Sequence, residues 1–331
     1  MTATPELFRS RVPASTSDVV ADLVTDVVAA TYGSTVVHSR NRLHSPWGLE
    51  VSSGEVASIH VITTGTCWLV VDGGEPIHLA QNDVVLVPFG HQHALIDTPG
   101  RSPRPAEELL GGPLGHGTPR ELVIDGPGPV TGMLCGGFLP VPGPRHPLTA
   151  LLPPVVHIPA AAAGGPAMAA TVELLAVETD RAYPSGRAVV ESLLKLLHAY
   201  ILRAWFARQD PAEGGWLRAL HDPPVGGALA LIHSDPARPW TVPSLARSVG
   251  VPRATFGRRF TALTGQAPMT YVTMWRMTVA ARLLRERKAP LRDIAQQVGY
   301  HSEYAFARTF KRIHGQAPGR YRAAALRQAE P

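Results

Sequence analysis

Cysteine is scarce in this chain, and only Cys67 and Cys135 occur among its 331 residues. Two thiols cannot supply the network of disulfides that stabilises a small secreted domain. The amino terminus, Met1–Ser17, also lacks the basic start and the continuous apolar stretch of a secretory signal. We therefore expect the protein to act in the cytoplasm.

Long apolar runs are missing as well. The most apolar region, residues 155–170, is interrupted by polar, glycine and proline residues from His157 to Pro166. A helix needs about 20 consecutive apolar residues to cross a bilayer. We therefore expect no membrane-spanning segment and no membrane partner.

Acidic residues are few at the carboxyl end. Residues 236–331 hold 4 Asp and Glu against 17 Lys and Arg, whereas residues 1–235 hold 22 against 14. The net charge of +5 for the whole chain therefore hides a basic module joined to an acidic one. Such a basic module is typical of DNA binding. The alternative is that the arginines form the solvated face of an ordinary helical bundle.

An internal repeat lies within the basic region. The stretch from Ala246 to Gly250 recurs from Ala295 to Gly299, and each copy continues to Phe-x-Arg-x-Phe, then Gly-Gln-Ala-Pro and Tyr. The offset is 49 residues before the glycine and 50 after it, so the second copy has one extra residue between Gly299 and Phe306. Two copies of one helix-turn-helix unit explain this repeat.

Each copy has the apolar spacing of two helices around one small core. In the first copy Leu245 and Val249 precede Gly250, and Phe256 and Phe260 continue the stripe on a second helix. The opposite face carries side chains that can reach phosphates and base edges. These candidate DNA-binding residues are Arg253, Thr255, Arg258 and Arg259 in the first copy, and Ser302, Glu303, Tyr304, Arg308, Lys311 and Arg312 in the second.

Residues from about 240 to 322 resemble the DNA-binding domain of the AraC/XylS family of bacterial transcription regulators. The resemblance covers both units, the joining helix through Trp275 and Leu284, and the closing Gly-Gln-Ala-Pro before Tyr321. It implies that two recognition helices enter successive major-groove segments on one face of the DNA. It also implies a set of base-facing positions, namely Ala254, Gly257 and Arg258 in the first unit and Glu303, Tyr304, Ala307 and Arg308 in the second.

Arg258 and Arg308 are the leading candidates for base readout, because arginine can bind guanine through two hydrogen bonds. Ala254 and Gly257 offer no long polar group, so readout by the first unit is reduced. Ser302 and Lys311 are suited to phosphate. For each arginine, a phosphate contact or a plain surface charge is the alternative.

Short β-rich runs separated by turn residues occupy residues 56–96. Their even spacing predicts a small β-barrel or jelly roll, with strands at Ile59–Thr63, Cys67–Val71, Pro76–Leu79 and Val84–Val87. The segment from Asn82 to His93 resembles the second signature of the cupin fold, with Pro88, Gly90 and His93 in place. Asn82 stands where that signature has a glycine.

The first cupin signature is largely lost. It normally supplies His-x-His and a later Glu as metal ligands, and here only His60 remains, with Ile62 and Cys67 at the other positions. An enzyme-type metal centre is therefore not expected. A metal-dependent cupin enzyme fused to a DNA-binding module stays as the alternative function.

Three interpretations remain for the two cysteines. His60, Cys67, His93 and Cys135 form a potential Cys2His2 set, and thiolates with imidazoles in tetrahedral array suit zinc. The resembling regulators carry the same residue types at matching places, which supports zinc as a cofactor. A redox-sensing thiol pair is the second interpretation. The third is that both cysteines pack as small hydrophobic residues beside ordinary histidines.

Residues 166–179 and 185–207 have helical periodicity, and Leu194 and Ile201 belong to the apolar stripe of the second helix. In the resembling family such a pair commonly mediates dimerisation. Packing against the chain's own barrel is the alternative. The Gly- and Pro-rich stretch Pro99–Pro119 predicts a long mobile loop.

The sequence thus predicts an α+β protein in three parts. These are a cupin-like β-barrel sensor domain over residues 1–150, a helical dimerisation segment over 151–215, and an all-α domain with two helix-turn-helix units over 216–331. The expected function is that of a sequence-specific transcription regulator without catalysis. Its barrel would sense a small molecule, metal or oxidant and shift the DNA-binding equilibrium. Expected partners are promoter DNA, the signal, a second copy of the chain and RNA polymerase.

Overall fold

The computed structural model of the chain describes residues 22–27, 30, 32–52, 54, 56–112, 120–141, 143–160, 165–180, 186–210, 212, 214–286 and 288–329. The expectation for Met1–Ser17 lies outside these residues. In the described ranges no helix combines the length and apolarity needed to cross a membrane.

Two sheets form the amino-terminal region. The larger has six strands in the order β11-β6-β3-β10-β1-β9, and the smaller has five in the order β5-β4-β7-β2-β8. Most neighbours are antiparallel, while β1–β9 and β2–β8 are parallel. The strand bounds are β1 Tyr32–His44, β2 Gly48–Val51, β3 Ala57–Thr64, β4 Cys67–Val71, β5 Ile77–Leu79, β6 Val84–Val87, β7 His93–Ile96, β8 Arg104–Pro105, β9 Arg120–Ile124, β10 Val130–Pro140 and β11 Val156–Ile158.

Alternating side chains of the six-stranded sheet supply two different cores. On β6, Val85 and Val87 face the five-stranded sheet, where they join Leu69 and Leu95 in the inter-sheet core. Val84 and Leu86, which alternate with them along β6, belong to the other core, which extends to the helices. Successive residues of a strand point to opposite faces, so β6 is buried on both sides.

The four strands predicted from the sequence are present as β3, β4, β5 and β6. The two sheets face each other, and within the described residues they do not close into a barrel. The prediction of a loop from Pro99 to Pro119 is wrong at Arg104–Leu109. There β8 pairs with β2 and leads into the short helix α2, Ala106–Leu109, because the buried Ala106 anchors this segment.

Two long helices, α3 (Gly165–Asp180) and α4 (Gly186–Phe206), form the helical pair expected from periodicity. Leu194, Leu197 and Ile201 of α4 are fully buried in the core on the outer face of the six-stranded sheet. The alternative of packing against the chain's own sheet is therefore confirmed for this face of α4. A short helix α1, described over residues 22–27, contributes Leu23, Val24 and Val27 to the same core.

The carboxyl-terminal region is entirely helical. Its core is continuous with that of the two sheets, since one apolar cluster includes Ile59 of β3, Leu197 of α4 and Phe260 near the carboxyl end. The helices are α5 Gly215–His221, α6 Pro223–Ser234, α7 Val242–Ser248, α8 Arg253–Thr264, α9 Pro268–Glu286, α10 Leu291–Gln297, α11 Glu303–His314 and α12 Pro318–Ala329.

Candidate nucleic-acid interface and sensor site

The first repeat unit consists of α7, a turn and α8. Thr241 caps α7 reciprocally with Ser244: the Thr241 hydroxyl accepts from the Ser244 amide at 3.1 Å, and the Ser244 hydroxyl accepts from the Thr241 amide at 2.9 Å. The turn contains Gly250 with φ of 71°, a conformation that favours glycine. Phe256 and Phe260 of α8 are fully buried.

The second unit, α10 and α11, repeats this arrangement. Gly299 occupies the turn with φ of 81°, Ser302 accepts a hydrogen bond from the Ala305 amide at 3.2 Å, and Phe306 and Phe310 are fully buried. Four residues separate α7 from α8, while five separate α10 from α11. The extra residue of the second copy therefore lies in the turn.

The candidate DNA-binding side chains lie on α8, on α11 and at the cap of α11, and the buried phenylalanines of both helices face the core. All ten are exposed, and Tyr304, in the first turn of α11, is 78% exposed. Within the described part of the chain, no carboxylate is paired with Arg258 or Arg308. Both guanidinium groups are thus free to bind an external acceptor.

Arg259 differs from the other candidates because it already has a partner. Its Nε donates to Asp222 Oδ2 at 2.6 Å, and a second nitrogen of the guanidinium pairs with the same carboxylate. Asp222 is buried and also caps α6 by accepting from the Val225 amide at 3.1 Å. Arg259 therefore ties α6 to α8, a role that the sequence alone did not reveal.

A buried polar cluster lies between the six-stranded and the five-stranded sheet. His60 on β3 is paired in register with Cys135 on β10, and its Nδ1 lies 3.1 Å from Cys135 Sγ. Its Nε2 lies 2.8 Å from Nε2 of His93, at the start of β7 in the other sheet. The structure thus brings three of the four predicted metal-ligand candidates together. The fourth, Cys67 at the start of β4, is buried in the inter-sheet core.

The hydrogen-bond partners fix the protons of this cluster. Nδ1 of His93 lies 2.7 Å from the His91 carbonyl oxygen, so it carries the proton and leaves Nε2 as an acceptor. His60 then donates from Nε2 to His93, and its own Nδ1 accepts from the Cys135 thiol. The chain Cys135, His60, His93 and the His91 carbonyl is therefore neutral and directional.

Both thiols are protonated at neutral pH. Burial raises the pKa of Cys135 to about 12, although Asn41 and Ser39 hydrogen-bond its sulfur. Burial likewise raises the pKa of Cys67 to about 12, with smaller electrostatic contributions from the nearby Cys135, once that thiol ionises, and from Asp83. A thiol reacts with oxidants and binds metals as the thiolate, so these thiols react slowly unless a metal or a rearrangement deprotonates them.

The four candidates do not form one metal centre in this arrangement. Cys135 and His93 occupy opposite nitrogens of His60, and one imidazole presents only one nitrogen to a given ion. In the part of the chain that the structure describes, no three His, Cys, Asp or Glu groups are placed to hold a metal together. The arrangement does direct the Nε2 atoms of His60 and His93 towards each other.

Asn41 and Ser39 were missed at the sequence level. Both lie on β1, which pairs with β10, and Asn41 Nδ2 donates to Cys135 Sγ at 3.2 Å. The Oδ1 atom of Asn41 is buried with no hydrogen-bond partner among the described atoms. Polar residues spaced by two on a buried strand were the available signal, because they share the inner face.

Comparison with known proteins agrees with this architecture. A cupin family matches residues 22–207, and a helix-turn-helix domain family matches residues 245–324. An AraC-like transcription regulator of Streptomyces lividans is 35% identical over 277 residues, which are 83% of this chain and 90% of that protein. The chain belongs to the AraC-like transcription regulators. As such a regulator it is a DNA-binding protein with a cupin domain and an α+β fold, as the sequence predicted.

Two further proteins are similar to this AraC-like regulator. The HTH-type transcriptional regulator AlkR of Acinetobacter baylyi is 32% identical over 178 residues, covering 53% of this chain and 58% of that protein. Among solved structures, the DNA-binding domain of AdpA in complex with a target DNA is 32% identical. It covers 33% of this chain and 99% of that one, with a TM-score of 0.32.

Proposed function

We propose that this AraC-like regulator reads a bipartite DNA site with α8 and α11, and that its cupin domain adjusts DNA binding in response to a signal. The repeated unit carries the proposal. Arg258 and Arg308 each follow a buried phenylalanine by two residues and are each exposed, so the two copies present one guanidinium at equivalent positions. Two equivalent helices suit two successive segments of the major groove.

The side chains around Arg308 suggest a division of roles on α11. Arg308 has the reach and the two donors to bind guanine, and Glu303 and Tyr304 lie in the first turn, where a recognition helix meets base edges. Lys311 and Arg312 in the last turn, and Ser302 at the cap, are suited to phosphates. The first unit would bind base edges and phosphates in the same way, through Arg253, Thr255 and Arg258. Arg259 would remain bound to Asp222.

The signal would act at the Cys135–His60–His93 cluster. Zinc, an oxidant and a small molecule all remain candidates. His93 donates from Nδ1 to a backbone carbonyl, which is how proteins orient a metal-binding imidazole, and this supports a metal at the Nε2 atoms. Cys67 and Cys135 would complete a zinc site only after their sulfurs turn towards those atoms. Zinc would stabilise the thiolates there.

A dimer is part of the proposal. Leu174 and Val177 on α3, and Val189 and Leu196 on α4, are exposed apolar side chains on the helical pair. Exposed apolar side chains grouped on one helical pair are typical of a protein interface. A second copy of the chain would cover these side chains through the same face, as two-fold symmetry allows.

Catalysis is not part of the proposal, because Ile62 and Cys67 replace ligands that a cupin enzyme uses. The regulator would work in the cytoplasm, where promoter DNA is found, and would contact RNA polymerase there.

The DNA-binding roles are tested by replacing Arg308 and Lys311 separately with alanine. Loss of a base contact in Arg308→Ala should weaken the cognate site by about 1 to 3 kcal/mol and relax preference at one base pair. Loss of a phosphate contact in Lys311→Ala should weaken all sequences alike and reduce the salt slope by about one. Gel shifts on DNA upstream of the gene measure both. If both variants behave like the wild-type protein, the assigned register of α11 is wrong.

A further inference from the structure

A second buried polar cluster lies where the sensor meets the DNA-binding helices. His146, in the segment between β10 and β11, is 1% exposed and is enclosed by four aromatic rings. These rings belong to Trp216 of α5, His233 of α6, and Tyr271 and Trp275 of α9. Neither DNA recognition nor the Cys135 cluster accounts for this arrangement.

The hydrogen bonds around His146 form one directional chain. The Leu148 amide donates to His146 Nδ1 at 3.2 Å, so the proton of the imidazole is on Nε2. That Nε2 lies 3.1 Å from Tyr271 Oη and donates to it. The Tyr271 hydroxyl then donates to His233 Nε2 at 2.6 Å. The hydrogen-bond chain ends there, because His233 Nδ1 lies 3.5 Å from Asp26 Oδ2 without forming a hydrogen bond.

Each step of this chain has one donor and one acceptor. Burial lowers the pKa of His146 well below its usual value, an effect that the nearby His233 strengthens, so His146 stays neutral. Burial also lowers the pKa of His233, although Asp26 opposes the shift. This series of hydrogen bonds therefore depends only on the positions of its groups. A small displacement of His146 leaves the buried Tyr271 hydroxyl without its donor.

The same segment also touches the second helix-turn-helix unit. Gly143 lies against His314, the last residue of α11, so closely that a Cβ atom on Gly143 would be 2.5 Å from His314 Nδ1. We call residues 143–148 the output loop. It begins three residues after Pro140, where β10 ends, and β10 carries Cys135. The same part of the chain thus carries Cys135 and contacts both α9 and the second unit.

The two repeat copies differ at this point. Tyr271 and Tyr321 occupy equivalent positions in the repeat, yet the Tyr321 hydroxyl accepts from Arg285 Nη1 of α9 at 3.0 Å. Among the hydrogen bonds of the described residues, the bond to the output loop is made by the tyrosine of the first copy. The difference indicates that the Tyr271 contact serves the connection between sensor and DNA-binding domain rather than the fold of the unit.

We propose, on the basis of the function proposed above, that the output loop transmits the state of the cupin domain to the DNA-binding domain, through the bond between His146 and Tyr271 and the contact of Gly143 with His314. A shift of β10 breaks or forms the directional chain as a unit, which gives the interface two discrete arrangements. DNA affinity then depends on which arrangement is populated.

The test uses the full-length protein with Tyr271→Phe, His146→Leu and the double variant. Tyr271→Phe removes one hydroxyl and keeps the ring. Thr264→Val is the matched control, because it removes a buried hydroxyl of α8 that bonds only within the same unit, to the Phe260 carbonyl at 2.8 Å and to Gln266. The measurements are operator Kd by fluorescence anisotropy and hydrogen exchange of the Leu148 amide.

We expect each single variant to change operator Kd by about fivefold or more, and the double variant to match a single one rather than multiply the effects. Exchange at Leu148 should accelerate about tenfold in Tyr271→Phe, while Thr264→Val should leave Kd and exchange within about twofold of wild type. The proposal would be overturned if both single variants had the operator Kd of the wild-type protein. It would also be overturned if the change in Kd in the double variant equalled the product of the two single changes.

Two controls keep these outcomes distinct. If His146→Leu does not fold by circular dichroism, His146→Gln replaces it, since the amide keeps a polar group in the aromatic enclosure. If the wild-type protein does not bind the DNA upstream of its gene, the DNA contacts proposed above are wrong. The exchange rate of the Leu148 amide then tests the hydrogen-bond series independently of DNA binding. An unchanged rate in Tyr271→Phe would refute that series.

Discussion

At the residue scale, burial decides the chemistry of the titratable side chains in the sensor. Hydrogen bonds that favour a charged sulfur surround Cys135, yet desolvation outweighs them and its pKa rises to about 12. His60 and His93 are buried beside it and are joined through their Nε2 atoms, and burial lowers the pKa of His93. A charge on Cys135 is therefore costly in this arrangement.

Metal analysis of the purified protein separates the interpretations of the thiols. Zinc predicts close to one equivalent of metal in the wild-type protein, and its loss in Cys67→Ser and in Cys135→Ser, because each removes a thiolate ligand. His78→Gln, an exposed histidine on β5, is the control and should retain the metal. Metal-free protein whose thiols form a disulfide on mild oxidation would instead favour the redox pair. If the protein holds no metal, forms no disulfide, and its two thiols react only slowly with a thiol reagent, simple packing of the cysteines would be favoured.

At the element scale, equivalent turns of the two units differ in their surroundings. A Cβ atom added to Gly250 would have no other atom within 4 Å, whereas a Cβ on Gly299 would lie 2.7 Å from the Ala237 carbonyl oxygen and 2.8 Å from Arg276 Nη2. Arg276 is itself held by the carbonyls of Pro236 and Arg238. The second turn is thus packed against the loop before α7, and the first is open.

This difference predicts unequal effects of one substitution. Gly250→Ala should cost about 1 kcal/mol of unfolding free energy, since only the left-handed backbone is strained. Gly299→Ala should cost about 3 kcal/mol or more, because steric overlap with Ala237 and Arg276 adds to that strain. Urea denaturation measures both losses. Equal losses would show that the second turn is not packed as described.

At the scale of the whole molecule, buried histidines make stability depend on pH. Burial lowers the pKa of His198 to about 3, and the ring stacks on Phe138 at 4.4 Å between α4 and β10. His146 and His233 are shifted in the same direction. In the folded state these groups resist protonation, whereas in the unfolded state they titrate near pH 6.5.

Stability should therefore be complete above about pH 6.5 and should fall on acidification, because below this pH the unfolded chain binds more protons than the folded one. His198 alone should contribute about 1.4 kcal/mol per pH unit between about pH 6 and pH 3. Urea midpoints at pH 7.5 and 5.0 measure the effect. In His198→Leu the pH dependence of stability should be smaller. If it is unchanged, groups other than His198 cause it.

Patterns that repeat over a few residues allowed much of this structure to be predicted. The glycine turn, the buried phenylalanines and the cap at Ser302 follow from spacing within one unit, so both helix-turn-helix units were correctly placed. The strands β3 to β6 were found from turn residues and β-rich runs. The order of the sheets and the pairing of β1 with both β9 and β10 needed contacts between distant segments.

The sequence by itself determined the two helix-turn-helix units, the helical pair α3 and α4, the strands β3 to β6, the basic carboxyl end and the residue types exposed on α8 and α11, because these depend on local periodicity and composition. Only the tertiary structure decided which polar groups meet. It paired Arg259 with Asp222, set Cys135 and His93 on opposite sides of His60, and brought His146 to Tyr271. Such bonds join residues far apart in the chain, and their geometry exists only after the cores have packed.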